Sequence, residues 1–295
     1  MARKKRVIAY LTANFFKLMY RNPLVILFLL IVVGGGYAYE VQIARPAQIF
    51  KGVPVAEQWQ YPFRWFRVFR NAHFMLGYSD VRGNPLWVTY QLKAVDKNAT
   101  KHKRPSNFKS DWRSLNQVKA TDYKGSGYDR GHMAPNYAIS RLYGKQAQLN
   151  SFLMSNISPQ KPKLNQKLWQ RLEEVEVKYF TQLEGKLWVV TGPVFDADIQ
   201  RLKNAWNVEI PDAFFKMYIL ERDDNTPLTL AFLMPQNVKG NEPLNRYLVS
   251  IDEIEKQTGL DFFSELPDEL EDRLEASITP KAWKLKKVAN TKSRY

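Results

Sequence analysis

The chain has 295 residues, no cysteine, 45% apolar and 14% aromatic residues, and a net charge of +15. This composition fills one substantial core and excludes a disulfide framework and a thiolate metal site. A basic balance points to polyanionic partners, and where the charge sits says more than its sum.

Residues 1–39 stand apart. Arg3, Lys4, Lys5, Arg6, Lys17 and Arg21 meet no acid before Glu40, and eighteen uncharged residues lie between Arg21 and Glu40. As a helix that run reaches about 27 Å, close to the hydrocarbon thickness of a bilayer, with Tyr37 and Tyr39 placed as interface anchors. The reading is a basic cytoplasmic segment at 1–21, a transmembrane anchor at 22–39 and a tether at 40–60 that contains Pro46 and Pro54. The charge asymmetry keeps the amino terminus in the cytoplasm and sends the remainder across the membrane. A cleavable signal peptide competes with this reading, although its hydrophobic region is usually shorter.

Residues 61–280 are a normal size for one domain, and a basic tail follows at 281–295. Six of the fifteen net charges precede residue 40 and six lie in the tail, so the domain between carries +3. Within it, residues 91–145 hold twelve Lys or Arg against four Asp, whereas 251–275 hold ten acids against two bases.

Alternation predicts a strand over 86–94, and the polar stretch 97–127 with Pro105 reads as a long excursion of the kind that is often functional. A loop at 128–136 leads through mixed sequence to Asn150 and a short strand near 152–155. Leu168, Leu172, Val175 and Tyr179 fall at i, i+4, i+7 and i+11, which predicts an amphipathic helix from about Asn165 to Leu183. Strands are expected at 187–191, 213–221 and 228–234, then a helix at 244–259 with Gly259 as its stop. The order suits an α+β fold.

The chemistry concentrates at Tyr128–Asn136. His132, one of three histidines, is the side chain that takes a proton near neutral pH. Arg130 offers a fork of donors matched to phosphate oxygens, and Gly131 permits a positive φ or a close approach to a ligand. A surface ion pair with a hydrogen-bonded histidine is the alternative from these residues alone. Farther on, Asn165 at a helix start and Glu173 two turns later could hold a hydrated Mg²⁺, which takes few protein ligands. The competing role for Asn165 is an N-cap. His73 and His102 have no motif around them and read as packing or solvent-facing residues.

Four blocks in order carry a resemblance: Asp129-Arg130-Gly131-His132, Ser155-Asn156-Ile157-Ser158-Pro159-Gln160, Leu164-Asn165-Gln166, and Trp169 with Leu172-Glu173. With Trp87–Leu92 and Arg104–Phe108 upstream and Val190–Phe195, Phe214-Phe215-Lys216 and Phe232–Asn237 downstream, the chain resembles the DNA/RNA non-specific ββα-metal endonucleases from about residue 60 to 262. That family includes the bacterial sugar-non-specific nucleases and mitochondrial endonuclease G.

The resemblance implies a ββα-metal (His-Me finger) nuclease domain with a mixed or antiparallel sheet, preceded here by one transmembrane helix. It implies His132 as general base, Asn165 as direct ligand of one Mg²⁺ (or of Mn²⁺ or another divalent cation), and Glu173 holding the ion's waters. Asn156 would position the site, and Arg130 and Arg104 would neutralise charge in the transition state. Asp129 reads as an orienting partner rather than a ligand.

DNA and RNA are the expected partners, with little sequence specificity. The membrane is a further partner through residues 22–39, and a homodimer and an inhibitor protein are left open. The location that follows is the bacterial inner membrane with the nuclease domain in the periplasm, or alternatively the mitochondrial inner membrane. Two other functions compete: a catalytically silent, membrane-tethered nucleic-acid-binding protein of the same fold, and a phosphodiesterase of small molecules or lipids.

Overall fold

The computed structural model describes residues 21–222 and 226–293 together with the isolated positions 10, 14 and 17. Arg3, Lys4, Lys5, Arg6 and Arg294 lie outside the described residues. The chain divides into two compact units, Met1–Ala47 and Gln48–Tyr295.

In the first unit, helix α1 (Pro23–Tyr39) begins on Asn22 in extended conformation with proline at its first turn, and a π turn over Glu40–Ala44 continues it. Helical structure runs over Pro23–Gln48, a length and composition sufficient to cross a membrane, and none of the apolar window is buried. A core helix of this hydrophobicity would be covered on at least one side.

In the second unit, a seven-stranded antiparallel sheet forms the frame. In chain order the strands are β1 (Val55–Ala56), β2 (Arg67–Arg70), β3 (Phe74–Ser79), β4 (Asn84–Leu92), β5 (Asp129–His132), β6 (Ile157–Gln160), β7 (Lys186–Val194), β8 (Arg201–Leu202), β9 (Ala205–Glu209), β10 (Ala213–Glu221), β11 (Leu228–Pro235), β12 (Leu248–Val249) and β13 (Leu260–Asp261). The large sheet has the order β12-β11-β10-β7-β4-β3-β2, and β5 pairs with β6 outside it. The expected strands at 86–94, 187–191, 213–221 and 228–234 are all in the sheet.

Both faces are covered, so the central strands are buried on both sides. On β10, Phe214, Tyr218 and Leu220 enter one cluster with Leu168, Leu172 and Val175. Phe215, Met217 and Ile219 enter the other with Ile251 and Ile254. The period of two puts Lys216 on the first face, fully buried, beneath the helix that carries Glu173.

Five local expectations differ from the structure, the last of them the helix expected at 244–259. The loop at 128–136 contains strand β5, because its backbone pairs with β6 from Asp129↔Gln160 to His132↔Ile157. The stretch to Asn150 is helix α2 (Asn136–Ser151). It buries mainly small or polar residues and breaks at Gly144 (φ 81°), so it shows no continuous apolar stripe. The strand expected at 152–155 begins instead at Ile157. The helix expected at 165–183 is a π turn over Leu164–Trp169 joined to α3 (Gln170–Lys178). The predicted stripe holds through Val175, but Tyr179 is exposed at the helix end and Phe180 takes the buried place.

The region of 244–259 is a 3₁₀ turn, then β12, then α4 (Ile251–Thr258) with Ser250 as N-cap and Gly259 left-handed at the C-cap, as its stop role requires. Helix α5 (Asp268–Ala276) follows. Beyond residue 280 the lysines point outward while Trp283, Leu285, Val288 and Ala289 are buried. The Trp283 ring packs on Phe180 at 5.2 Å, and its Nε1 donates to the Thr229 carbonyl at 3.1 Å.

Candidate active site

The hairpin of β5 and β6, the start of α2 and the π turn leading into α3 surround a cleft of about 380 Å³. Arg104, Arg130, His132, Asn165 and Glu173 all line it, so residues scattered over seventy positions of sequence meet in one place. Gln166, Gln170, Tyr137, Glu174 and Lys178 complete much of the wall; Lys178 pairs with Glu174 one turn away on α3. Of these five only Gln166 stood in a motif, the Leu164-Asn165-Gln166 block.

His132 ends β5 with its ring between Phe108 and Phe152, at centroid distances of 5.4 and 4.9 Å. Its Nε2 is buried without a hydrogen-bond partner. Burial first, then the positive charges of Arg104 and Arg130, lower its pKa to about 3, so the imidazole is neutral at physiological pH. The same two aromatics support the guanidinium groups: Arg130 lies 4.8 Å over Phe108, and Arg104 lies 5.1 Å over Phe152. The excursion is tied down here by two backbone hydrogen bonds, Lys109 N–H to the Phe152 carbonyl at 3.0 Å and Met154 N–H to the Lys109 carbonyl at 2.8 Å. Neither Phe108 nor Phe152 was singled out as a site residue in the sequence, because no local pattern marks an aromatic ring as the wall of a distant histidine.

Asn165 is no N-cap. It sits inside the π turn, and its Nδ2 donates to Asp129 Oδ2 at 2.9 Å while Gln166 Nε2 donates to the same oxygen at 2.8 Å. A carboxylate only accepts, which assigns the amide: nitrogen towards Asp129, and Oδ1 left as the atom able to face an ion. A π turn at this point is a recurrent way to present side chains at a functional site.

Glu173 lies one turn beyond Trp169, near the buried Lys216 and Glu176. Lys216 Nζ is 3.2 Å from Glu176 Oε2, and the Tyr218 hydroxyl donates to that oxygen at 2.7 Å. Lys216 also lies 4.6 Å over the Trp169 ring. Desolvation raises the Glu173 pKa to about 7, against the attraction of Lys216 and with repulsion from Glu176.

Asn156 does not line the cleft. It is fully buried, its Oδ1 accepting from Ala134 N–H at 2.9 Å and its Nδ2 donating to the carbonyls of Ala134 and Ser151, each at 3.0 Å. It therefore clamps the turn that follows His132. Gly131 serves packing within the hairpin rather than a ligand: a Cβ there would come 2.1 Å from Gln160 Oε1. His73 stacks on Tyr143 at 4.3 Å, remote from this chemistry.

Comparison with known proteins gives the family. Residues 66–269 match the DNA/RNA non-specific endonuclease family. Human mitochondrial endonuclease G is 33% identical over 64% of this chain and 67% of its own length. The nuclease of Serratia marcescens is 31% identical over 64% of this chain and 72% of its own. A solved EndoG in complex with EndoGI superposes with a TM-score of 0.60 at 25% identity, covering 69% of this chain and 88% of that one. With that match spanning more than half of its length, the chain belongs to the DNA/RNA non-specific endonuclease family.

Proposed function

We propose that this endonuclease is anchored in a membrane by residues 22–39 and hydrolyses phosphodiester bonds of DNA and RNA with little sequence preference. In this reading His132 is the general base and Asn165 the direct ligand of one divalent cation, Mg²⁺ or a substitute such as Mn²⁺. The observation that carries the reading is a neutral imidazole with an unpartnered Nε2 in the same basic cleft as Asn165 and Glu173.

The residues fit such an ion. Asn165 is held by Asp129 so that its amide oxygen is available, and Glu173 offers a half-buried carboxylate that would hold the ion's waters. When bound, the cation supplies charge stabilisation to the phosphate and the departing oxygen. His132 takes the proton of the attacking water at Nε2. Arg104 and Arg130, fixed on their aromatic supports, counter the charge that builds on the phosphorus oxygens. Asn156 acts indirectly, by holding the turn that sets the His132 ring.

The positive flank of α1 favours an orientation with the domain across the membrane from the amino terminus, and Met133-Ala134-Pro135-Asn136, closer to the bacterial branch, favours the bacterial inner membrane with the domain in the periplasm; the mitochondrial names among the relatives support the alternative of a mitochondrial inner membrane. A structural neighbour solved in an inhibited complex supports an inhibitor protein among the partners.

The test uses the full chain in detergent with plasmid DNA and an RNA, with Mg²⁺ or EDTA. His132→Ala is expected to slow metal-dependent cutting by about 10²–10⁴-fold, the range for losing a general base, and Asn165→Ala to abolish it at ordinary Mg²⁺. Salt-sensitive binding with no cutting of either polymer would overturn the catalytic reading, and release of the chain from membranes by alkaline carbonate would overturn the anchor.

A further inference from the structure

Of the eight tryptophans, Trp87, Trp169, Trp188 and Trp283 are buried and the other four are not. Trp59, Trp65, Trp112 and Trp206 are 75, 53, 84 and 83% exposed. Apolar residues scattered singly over a surface need no explanation. These four come from three distant segments, and the fold gathers those segments around one turn.

The turn joins β3 to β4. Its Asp80 carboxylate accepts from Arg67 Nη2 at 2.6 Å, two residues past Trp65, and from the Leu115 N–H at 2.7 Å. Arg67 Nη2 also donates to the carbonyl of Arg113, the neighbour of Trp112, at 2.8 Å. Asn116 Nδ2 donates to the Asp80 carbonyl and to the carbonyl of Asn207, the neighbour of Trp206, each at 2.8 Å. Trp65 Nε1 donates to the Trp59 carbonyl, which joins the segment of Trp59 to the same region. The segment is itself fastened to the domain, since the Glu57 N–H donates to the Gly259 carbonyl at 2.9 Å. Leu115 and Tyr61, 79 and 53% exposed, add to the apolar surface. None of these six residues lines the cleft that holds His132.

The charge of this face selects among partners. Its central arginines, Arg67, Arg82 and Arg113, are paired with Asp80, Glu209 and Asp111. Arginines neutralised in this way give little attraction to a phosphate polymer. Tryptophan and tyrosine, with an apolar ring and one polar edge, suit the zone between lipid headgroups and acyl chains. The chain also brings that zone near. Trp59 is eleven positions beyond Gln48, the end of the helical run that begins at Pro23, so chain length alone keeps it within about 40 Å of that end.

We propose that the face carrying Trp59, Trp65, Trp112 and Trp206 docks on the interfacial zone of the bilayer that holds residues 22–39. The inference rests on the anchored reading and adds a second attachment to it. The rings insert at the level of the headgroups, and because the contact is apolar it withstands salt. The residues that line the cleft take no part in the contact, so they stay free for the polymer.

The experiment exploits the absence of tryptophan from residues 1–58, so that tryptophan emission reports on the domain alone. The full chain is reconstituted in phosphatidylcholine vesicles with ordinary or brominated acyl chains. Brominated lipid is expected to quench the four exposed tryptophans and spare the four buried ones, equally at low and high salt. Replacing Trp59, Trp65, Trp112 and Trp206 together by serine should remove the quenching and leave cutting of plasmid DNA in detergent unchanged, which also reports folding. An anchored chain whose emission is the same in both lipids would overturn the docking alone, whereas release of the chain by alkaline carbonate would overturn the anchor and the docking with it. Quenching that persists in the fourfold variant would overturn it too. So would a detergent-solubilised dimer that already shields these tryptophans from iodide, or, in EDTA, quenching of them by a DNA oligonucleotide in place of brominated lipid; these would assign the face to a second copy or to the polymer.

Discussion

Removing the Asp129 carboxylate loosens Asn165 while leaving in place every group proposed to face the phosphate. Asp129 Oδ2 accepts from Asn165 Nδ2 and Gln166 Nε2 at 2.9 and 2.8 Å. Both donors converge on one oxygen, so Asp129→Asn can keep both bonds on a neutral acceptor, whereas Asp129→Ala loses both. Hydrogen bonds to a charged group are worth about 1.5–3 kcal/mol each and those to a neutral acceptor about half as much. Only the bond to Asn165 bears on the ion. Losing the partner that orients a metal ligand typically weakens the metal by about 10–100-fold. The expected series is therefore a half-saturating Mg²⁺ concentration raised by about 10-fold in Asp129→Asn and by about 100-fold in Asp129→Ala, with maximal rates at saturating metal changed far less. The assay is the initial rate of plasmid nicking against Mg²⁺ concentration. An unchanged half-saturation point in Asp129→Ala, or a loss confined to the maximal rate, would refute the orienting role.

Three further outcomes follow from the same geometry. The Glu173 carboxyl is raised to about 7 and the His132 imidazole lowered to about 3, so Glu173 rather than His132 should set the acid limb of activity. Cutting should rise with a midpoint near 7 at low Mg²⁺, and added Mg²⁺, competing with the proton, should move that midpoint down; a limb insensitive to metal would contradict this. For stability the signs oppose. The raised Glu173 favours the fold at low pH and loses that advantage as pH rises from its unfolded value of 4.5 through 7, while the depressed His132 loses stability as pH falls from 6.5 towards 3. Lys216→Met leaves Glu176 buried without its cation and should destabilise the chain by about 3–5 kcal/mol in urea unfolding, with much of the loss recovered by adding Glu176→Gln; a loss under about 1 kcal/mol would show that the pair contributes little. Gly131→Ala drives a methyl into the Gln160 side chain and should cost about 1–3 kcal/mol in the same assay and reduce cutting by displacing His132, while full stability with full activity would show that Gln160 yields freely.

What the sequence determined by itself was chemistry and period. That His132, Arg130, Asn165 and Glu173 are candidates for one site was legible because few residue types take a proton near neutral pH, grip a phosphate or hold a hydrated cation, and their blocks stand in one order along the chain; the fold brings the four into one cleft. The apolar run before Glu40 and the strands at β4, β7, β10 and β11 were legible because a hydrophobic pattern is written locally. Gly259 announced the end of α4 for the same reason, since a left-handed cap is a property of one residue.

Tertiary structure alone decided which polar groups meet. The Asp129–Asn165 bond joins residues thirty-six positions apart, and it turned a candidate N-cap into an oriented amide. Asn156 belongs to the same motif as the site, yet the fold spends its side chain on the backbone of Ala134 and Ser151. Phe108 and Phe152 became the walls of His132 only when the excursion was hydrogen-bonded back at Lys109. Lys216 stands in a predicted core strand, but only the alternation of β10 in the fold places it under α3 against Glu176, and Glu275 reads as one acid among ten until α5 folds onto α4. Each of these depends on contacts between segments distant in the chain, whose free energy is set by burial and by the partner met there, neither of which is encoded within a window of neighbouring residues.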